Sequence, residues 1–258
     1  MDKTSGSAPL RSRPGRFGTG YPDQSARAAD RALALSRQLG HAHTLAYAFS
    51  HAGVAAVFAR DVATVYARSN DCVAVASEHG FAQWAARGRI LQGWADAQKG
   101  EATTGIGRIR DGMAASAATG TRSNTPFYLA LLAEALAFAG KIEEGLAALD
   151  DALATAAASG LRGWDAEIHR LRGELTARLP DPDPVKAEDS FRTALAIARE
   201  QGTRGYELRA ATSLARLWRE QSRRGEARDL LAPVYSSFTE GFDTADLKDA
   251  GKLLSELA

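Results

Sequence analysis

Small and large apolar residues recur along this chain with a long, regular period. Helices often end at a glycine, because glycine adopts the left-handed conformation after the last turn at little cost. One series of glycines is followed, always thirteen residues later, by Gly or Ala, as close packing between helices requires. The glycines and the small residues that follow them are Gly40 and Gly53, Gly80 and Gly93, Gly120 and Ala133, Gly160 and Gly173, and Gly202 and Ala215. Spacings of 40, 40, 40 and 42 residues between these glycines predict five similar units.

Each unit also carries the pattern of a second helix. In the third unit, Gly145, Leu149 and Ala152 follow one another at spacings of four and three, so they lie on one helical face. A helical hairpin of about 40 residues cannot cover its apolar faces alone, and stacked neighbours cover them instead. The sequence therefore predicts an all-α fold, a right-handed α-solenoid of about five and a half helical hairpins over residues 21–241. Residues 242–258 are predicted to form a C-terminal capping helix.

The composition favours helices, and the beginning of the chain departs from the pattern. The chain has 53 Ala and 27 Leu but only 8 Val and 6 Ile, and alanine and leucine favour helices whereas β-branched residues favour strands. Residues 1–20 are rich in Gly, Ser, Pro and Arg without periodicity, which predicts a disordered basic tail. Residues 21–39 match the second helix of a unit without its first. The uncovered apolar face of this helix predicts self-association, for example as a homodimer.

The charge balance and the cysteine content limit the function classes. The 258 residues include 32 basic and 31 acidic side chains, and this near-neutral balance gives no global attraction to nucleic acid or acidic membranes. No apolar run approaches the ~18 residues of a membrane helix, and polar residues follow Met1 where a signal peptide has its apolar core. The single cysteine, Cys72, excludes an internal disulfide. We therefore expect a cytoplasmic protein with neither nucleic acid nor a membrane as partner.

The derived positions resemble the tetratricopeptide repeat. Its consensus has a small residue, then Ala-aromatic, Gly, an acidic pair and Ala-Leu, and the third unit reads LLAEALAFAGKIEEGLAALDDAL. The 40-residue period resembles the MalT-type subclass. Stretches such as RGRILQGWADAQKGEATTGI and APVYSSFTEGFDTADLKDA are similar to the C-terminal repeat region of bacterial class III adenylate/guanylate cyclases that also carry an ATPase domain.

The resemblance implies two functional hypotheses. The first is a non-catalytic protein-interaction module, a scaffold or regulatory arm in bacterial signalling that binds partners through its concave face. The alternative is the C-terminal portion of a multidomain cyclase with an ATPase domain, whose catalytic parts lie outside this chain. The chain lacks a G-x-x-x-x-G-K-[ST] phosphate loop, and without strands it cannot build the sheets on which either activity depends. We expect no enzyme activity and no cofactor for these residues.

The residues that most suggest chemistry have simpler structural explanations. His43 and His51 are eight residues apart and can share a helical face with His41 nearby. A zinc site needs a third or fourth ligand at fixed spacing, and no carboxylate lies one turn from this pair. Turn and surface positions account for these histidines. Cys72 stands where other units have Gly or Ala and has no basic neighbour in sequence, which indicates a small core residue.

The concave groove is where the resemblance places partner binding. Its side chains are predicted to include Arg87, Trp94, Glu134, Arg170, Glu174, Arg209, Arg216, Arg219 and Arg223. Arg209, Arg216 and Arg223 repeat every seven residues with Arg219 beside them, so one stripe of that helix is basic. This stripe favours an acidic segment of a protein or peptide, held by bidentate contacts. The alternative is a solvated charged face that neighbouring glutamates balance.

Overall fold

The computed structural model describes residues 20–122 and 124–258, where the chain forms helices and no strands. The predicted basic tail lies outside these residues, apart from Gly20. Twelve α-helices follow one another within the described ranges. They are α1 (Pro22–Leu39), α2 (Ala42–Phe58), α3 (Val62–Glu78), α4 (Ala82–Gln98), α5 (Ala102–Ala118), α6 (Thr125–Phe138), α7 (Ile142–Ser159), α8 (Asp165–Thr176), α9 (Pro184–Gln201), α10 (Arg204–Glu220), α11 (Arg224–Ser236) and α12 (Ala245–Glu256).

From α2 onward the helices pair as antiparallel hairpins, and the hairpins stack. The first helix of each hairpin also contacts the first helix of the next, along the series α2, α4, α6, α8, α10 and α12. Among the described helices, no comparable contact joins successive second helices. The first helices therefore form an inner layer, and the stack curves towards it. The predicted all-α solenoid of helical hairpins is confirmed.

The periodic small residues lie where helices approach most closely. A Cβ atom added to Gly93 would lie 2.6 Å from the backbone oxygen of Gly105 in the partner helix. At Gly173 it would lie 2.5 Å from the ring of Phe191. Neither approach leaves room for a side chain, which is why these positions are small. The five turn glycines, beginning with Gly40, all have left-handed φ values between 62° and 79°.

The two ends of the stack meet. In the first turn of α1, the backbone N–H of Gln24 donates to the carboxylate of Glu240 at 2.9 Å. Beyond α2, the guanidinium of Arg60 pairs with two carboxylates of α12, Asp246 at 3.5 Å and Asp249 at 3.3 Å. The inner layer therefore closes on itself. The open groove that the resemblance implies is here an enclosed space.

α1 packs against α2 on one side and keeps an apolar strip exposed on the other. Leu35 and Leu39 remain 58% and 63% exposed, although the first turn of the helix is held by the residues before α12. Self-association through this strip stays a prediction.

Candidate functional site

Aromatic side chains fill part of the space inside the ring. The ring of Phe58, at the end of α2, stacks on Trp164 with a centroid distance of 5.2 Å. Trp164 also stacks on Phe127 of α6 at 4.3 Å, and Tyr206 of α10 lies 6.0 Å from Phe58. These side chains come from four different hairpins. Together they form an aromatic plug (Phe58, Phe127, Trp164 and Tyr206), which brings α2 against the fourth and fifth units.

Buried ion pairs lie beside the aromatic plug. The carboxylate of Glu167 pairs with Arg170 at 2.8 Å and with Arg209 at 3.0 Å. Arg209 also pairs with Asp246 of α12 at 2.7 Å and donates to the backbone carbonyl of Phe58. Burial raises the pKa of Glu167, but the two guanidinium groups more than offset it and hold that pKa at about 2. One connected network therefore joins α8, α10, α12 and the end of α2.

The pKa of Glu134 in α6 is shifted in the opposite direction to that of its neighbour Glu167. Burial raises its pKa, and the negative charge of Glu167 raises it further, against the opposing effect of Arg170. The indole N–H of Trp94 donates to its carboxylate at 2.7 Å. Trp94 itself is only 2% exposed, so its polar edge is used inside the protein.

A polar cavity of about 210 Å³ opens beside this network. Its lining has positive and negative side chains in equal number, contributed by α6, α8, α10, α12 and the turn after α2. The charged lining residues are Arg60, Glu134, Glu167, Arg170, Glu174, Arg178, Arg209, Arg216, Asp246 and Asp249. At its edge lie the exposed side chains of Phe138 and Arg178 and the partly exposed Arg216. The cavity is therefore a charged pocket with one apolar residue at its mouth.

The predicted basic stripe is internally neutralised. Arg209 lies in the buried network, and Arg216 pairs with Asp249 at 3.5 Å. Arg219 pairs with Glu256 of α12. Arg223 pairs with Glu188 at 2.9 Å and with Glu226 at 2.8 Å, away from the cavity. Carboxylates of α9, α11 and α12 thus pair with the arginines that the sequence pattern suggested for binding a ligand.

The structure brings together five of the nine predicted groove residues. Glu134, Arg170, Glu174, Arg209 and Arg216 line the cavity. Of the other four, Trp94 is buried behind it, Arg219 and Arg223 lie outside its lining, and Arg87 is buried among α2, α4 and α6. Whether any of the nine contacts a partner stays a prediction.

Sequence reasoning missed Arg60, Arg178, Asp246 and Asp249, which also line the cavity. Arg60 and the two aspartates are 186 and 189 residues apart in sequence. A local sequence pattern cannot indicate a contact between residues so far apart. Glu167 did have a signal, because it occupies in the fourth unit the repeat position that Arg209 occupies in the fifth.

His41, His43 and Cys72 have structural roles. The Nδ1 atom of His41 accepts from the backbone N–H of Thr44 and caps α2, and Nε2 of His43 accepts from the indole of Trp84 at 3.0 Å. Burial raises the pKa of Cys72 to about 12. Across the described residues, no three of the His, Cys, Asp and Glu side chains are grouped to hold a metal ion.

Among the helices within residues 20–122 and 124–258, none combines the length and the apolar character that a membrane span requires.

Comparisons with known proteins give a distant relative and two similar folds. No family model matches the chain. It is 29% identical over 199 residues to an uncharacterized protein of Rhizobium meliloti (strain 1021), a match that covers 77% of this chain and 19% of the relative. The chain thus spans about a fifth of that relative's length. Two crystal structures of kinesin light chain TPR-like repeats from Podosopora anserina are each 17% identical, with TM-scores of 0.44 and 0.43. The matches cover 84% and 83% of this chain and 95% of each of those chains.

Proposed function

We propose that this chain is a non-catalytic protein-interaction module that binds a segment of a partner protein at the mouth of its inner cavity. The proposal rests on the side chains that lie at the mouth of the cavity. Phe138 is 54% exposed and lines the cavity together with the exposed Arg178 and the partly exposed Arg216. An exposed aromatic ring and guanidinium groups in the lining of one cavity suit a partner segment with apolar and acidic side chains.

The state of the cavity's ionisable groups supports binding over catalysis. Glu167 is held ionised by Arg170 and Arg209, and an arginine does not exchange protons near neutral pH. The hydroxyl of Ser213 donates to Glu174 at 2.6 Å and has no histidine in the cavity lining to activate it. These groups hold the fold together, and the remaining exposed groups at the mouth are suited to recognition.

Site-specific photo-crosslinking tests this function. Phe138 and Phe242 are 54% and 48% exposed, and only Phe138 lines the cavity. A photoreactive phenylalanine at position 138 is expected to crosslink a partner, which mass spectrometry identifies and which the purified chain then binds. The same analogue at position 242 is the matched control. Crosslinking from position 242 alone, or no saturable binding of the purified partner, would contradict the proposal.

A second candidate concerns the larger context. We infer that the chain acts as the repeat arm of a multidomain protein, with a nucleotide cyclase and an ATPase as the class to test. The 19% coverage of the much longer Rhizobium meliloti relative favours an arm within a larger polypeptide. An immunoblot of source lysate with an antibody to this chain measures the mass of the native product. A band several times heavier than 27.4 kDa would support an arm, and a band near that mass would exclude it.

A further inference from the structure

One arginine of the inner layer is buried without a partner. Arg87 of α4 is 7% exposed, and its Nε atom is shut off from solvent without a hydrogen-bond acceptor. Within residues 20–122 and 124–258, no carboxylate pairs with its guanidinium and no carbonyl accepts from it. Arg170 and Arg209, which are buried to a similar degree, each pair with Glu167. The fold therefore satisfies its other buried guanidinium groups and leaves this one unpaired.

A buried charge without a counter-ion is costly, because desolvation is no longer offset by an opposite charge. Burial accordingly lowers the pKa of Arg87, and the nearby groups that act against this are the uncharged side chains Tyr128, Cys72 and Tyr47. The surroundings of Arg87 therefore provide no negative charge to balance its guanidinium.

Aromatic side chains lie near Arg87. The rings of Tyr47 and His51 of α2 stack at a centroid distance of 4.0 Å, and each residue is partly covered and partly exposed to solvent. Trp84 of α4 lies 5.4 Å from Tyr47 and 6.1 Å from His51. Burial and the nearby positive charge of Arg87 both lower the pKa of His51. The ring pair of Tyr47 and His51 therefore lies within electrostatic reach of the guanidinium of Arg87.

We propose that Arg87 is a receptor for the carboxylate of an aromatic or apolar acid. The ligand's carboxylate accepts a bidentate pair of hydrogen bonds from the guanidinium, and its carbon skeleton packs against Tyr47, His51 and Trp84. A single guanidinium matches a single carboxylate in charge and geometry, whereas a phosphate dianion would need further donors. Neither this arginine nor these three rings line the 210 Å³ cavity, so the site goes beyond the proposed function.

Phenylacetate and its neutral isostere phenylacetamide test the proposal on the unmodified protein. The indole N–H signal of Trp84 in NMR spectra reports binding next to the site. We expect saturable shifts with phenylacetate and at least tenfold weaker binding of phenylacetamide and of inorganic phosphate. Equal binding of the acid and the amide, or no response to either, would overturn the proposal. A peptide that ends in phenylalanine, with a free or an amidated terminus, distinguishes a chain end from a small free acid as the source of the carboxylate.

Two matched variants separate a ligand role from a structural one. Arg87→Met removes the charge and keeps an apolar chain of similar length, and Arg89→Met makes the same change at an exposed position two residues away. We expect Arg87→Met to lose phenylacetate binding at least tenfold while its melting temperature stays equal or rises. A lower melting temperature with unchanged binding would assign Arg87 a structural role and overturn the proposal. The Arg89→Met variant is expected to bind as the unmodified protein does.

Discussion

At the scale of single residues, the electrostatics of the inner layer depend on which charges are paired. His51 shows the effect of the unpaired Arg87, because both its burial and that charge disfavour the imidazolium. Trp84 and Tyr47 pack against the same ring. The pKa of His51 therefore depends on the charge of Arg87 as well as on burial.

We expect Arg87→Met to raise the pKa of His51 towards its ordinary value of 6.5 without reaching it, since the burial remains. A histidine whose pKa is lowered on folding stabilises the fold fully above pH 6.5, and this contribution is lost as the pH falls towards the folded pKa. The variant should therefore lose less stability between pH 7 and 5. NMR titration of the imidazole signals measures the shift. An unchanged His51 pKa would show that burial alone lowers it.

For the paired charges we expect the opposite effect on stability, because removing one partner leaves the other buried without compensation. Glu167→Gln leaves Arg170 and Arg209 with less compensation in a buried site and should lower the free energy of unfolding by about 3–5 kcal/mol. Because the folded pKa of Glu167 is about 2 against an ordinary 4.5, its stabilisation is present above pH 4.5 and is lost as the pH falls towards 2. Urea unfolding at several pH values measures both effects. Glu143→Gln, at an exposed position of α7, is the control and should leave stability unchanged.

At the scale of helices, the sequence predicts the architecture well because each hairpin repeats the same packing problem. The turn glycines and the small residues thirteen positions later come from contacts within one unit or between neighbours. Equivalent positions of adjacent units also meet, as Trp94 and Glu134 do across 40 residues. The fold class, the number of units and these side-chain pairs can therefore be predicted from the repeat period of the sequence.

Ala133 tests this register. It has no exposed surface, and its backbone oxygen would lie 3.3 Å from a Cβ atom on Gly145 of the partner helix. Ala133→Leu should lower the free energy of unfolding by about 1–3 kcal/mol through overpacking. Ala147→Leu, at an exposed position of α7, should change it by less than about 0.5 kcal/mol. Equal effects in chemical denaturation would mean that Ala133 tolerates a larger side chain.

At the scale of the whole molecule, closure of the ring is the property that the sequence did not predict. It depends on the accumulated twist and curvature of five hairpins, to which every interface contributes a small part. The neutralisation of the basic stripe has a more local cause, because Asp246, Asp249 and Glu256 lie on α12, which packs on α10 as the next helix of the inner layer. α12 lies beyond the repeat pattern, so the repeat positions gave no indication of these ion pairs.

Arg60 gives a way to loosen the closure. It and Ser222 are non-glycine residues with left-handed φ values of 54° and 65° in equivalent hairpin turns. Replacing either by glycine relieves the same backbone strain, but only Arg60→Gly removes the ion pairs to α12. With spin labels at the exposed positions Arg31 and Asp243, Arg60→Gly should broaden and lengthen the measured distance distribution. Ser222→Gly should leave it unchanged, and identical distributions in the two variants would show that Arg60 does not hold the ends.

The contact between the two ends also changes how this protein should unfold. In an open repeat stack the terminal units fray first, because each has a neighbour on one side only, and stability declines from the centre outwards. In this protein α1 is joined to the residues before α12 and the turn after α2 is joined to α12, so neither end of the stack is free. Hydrogen exchange in α1 and α12 should then be as slow as in the central helices, and the molecule should lose its structure in one cooperative step.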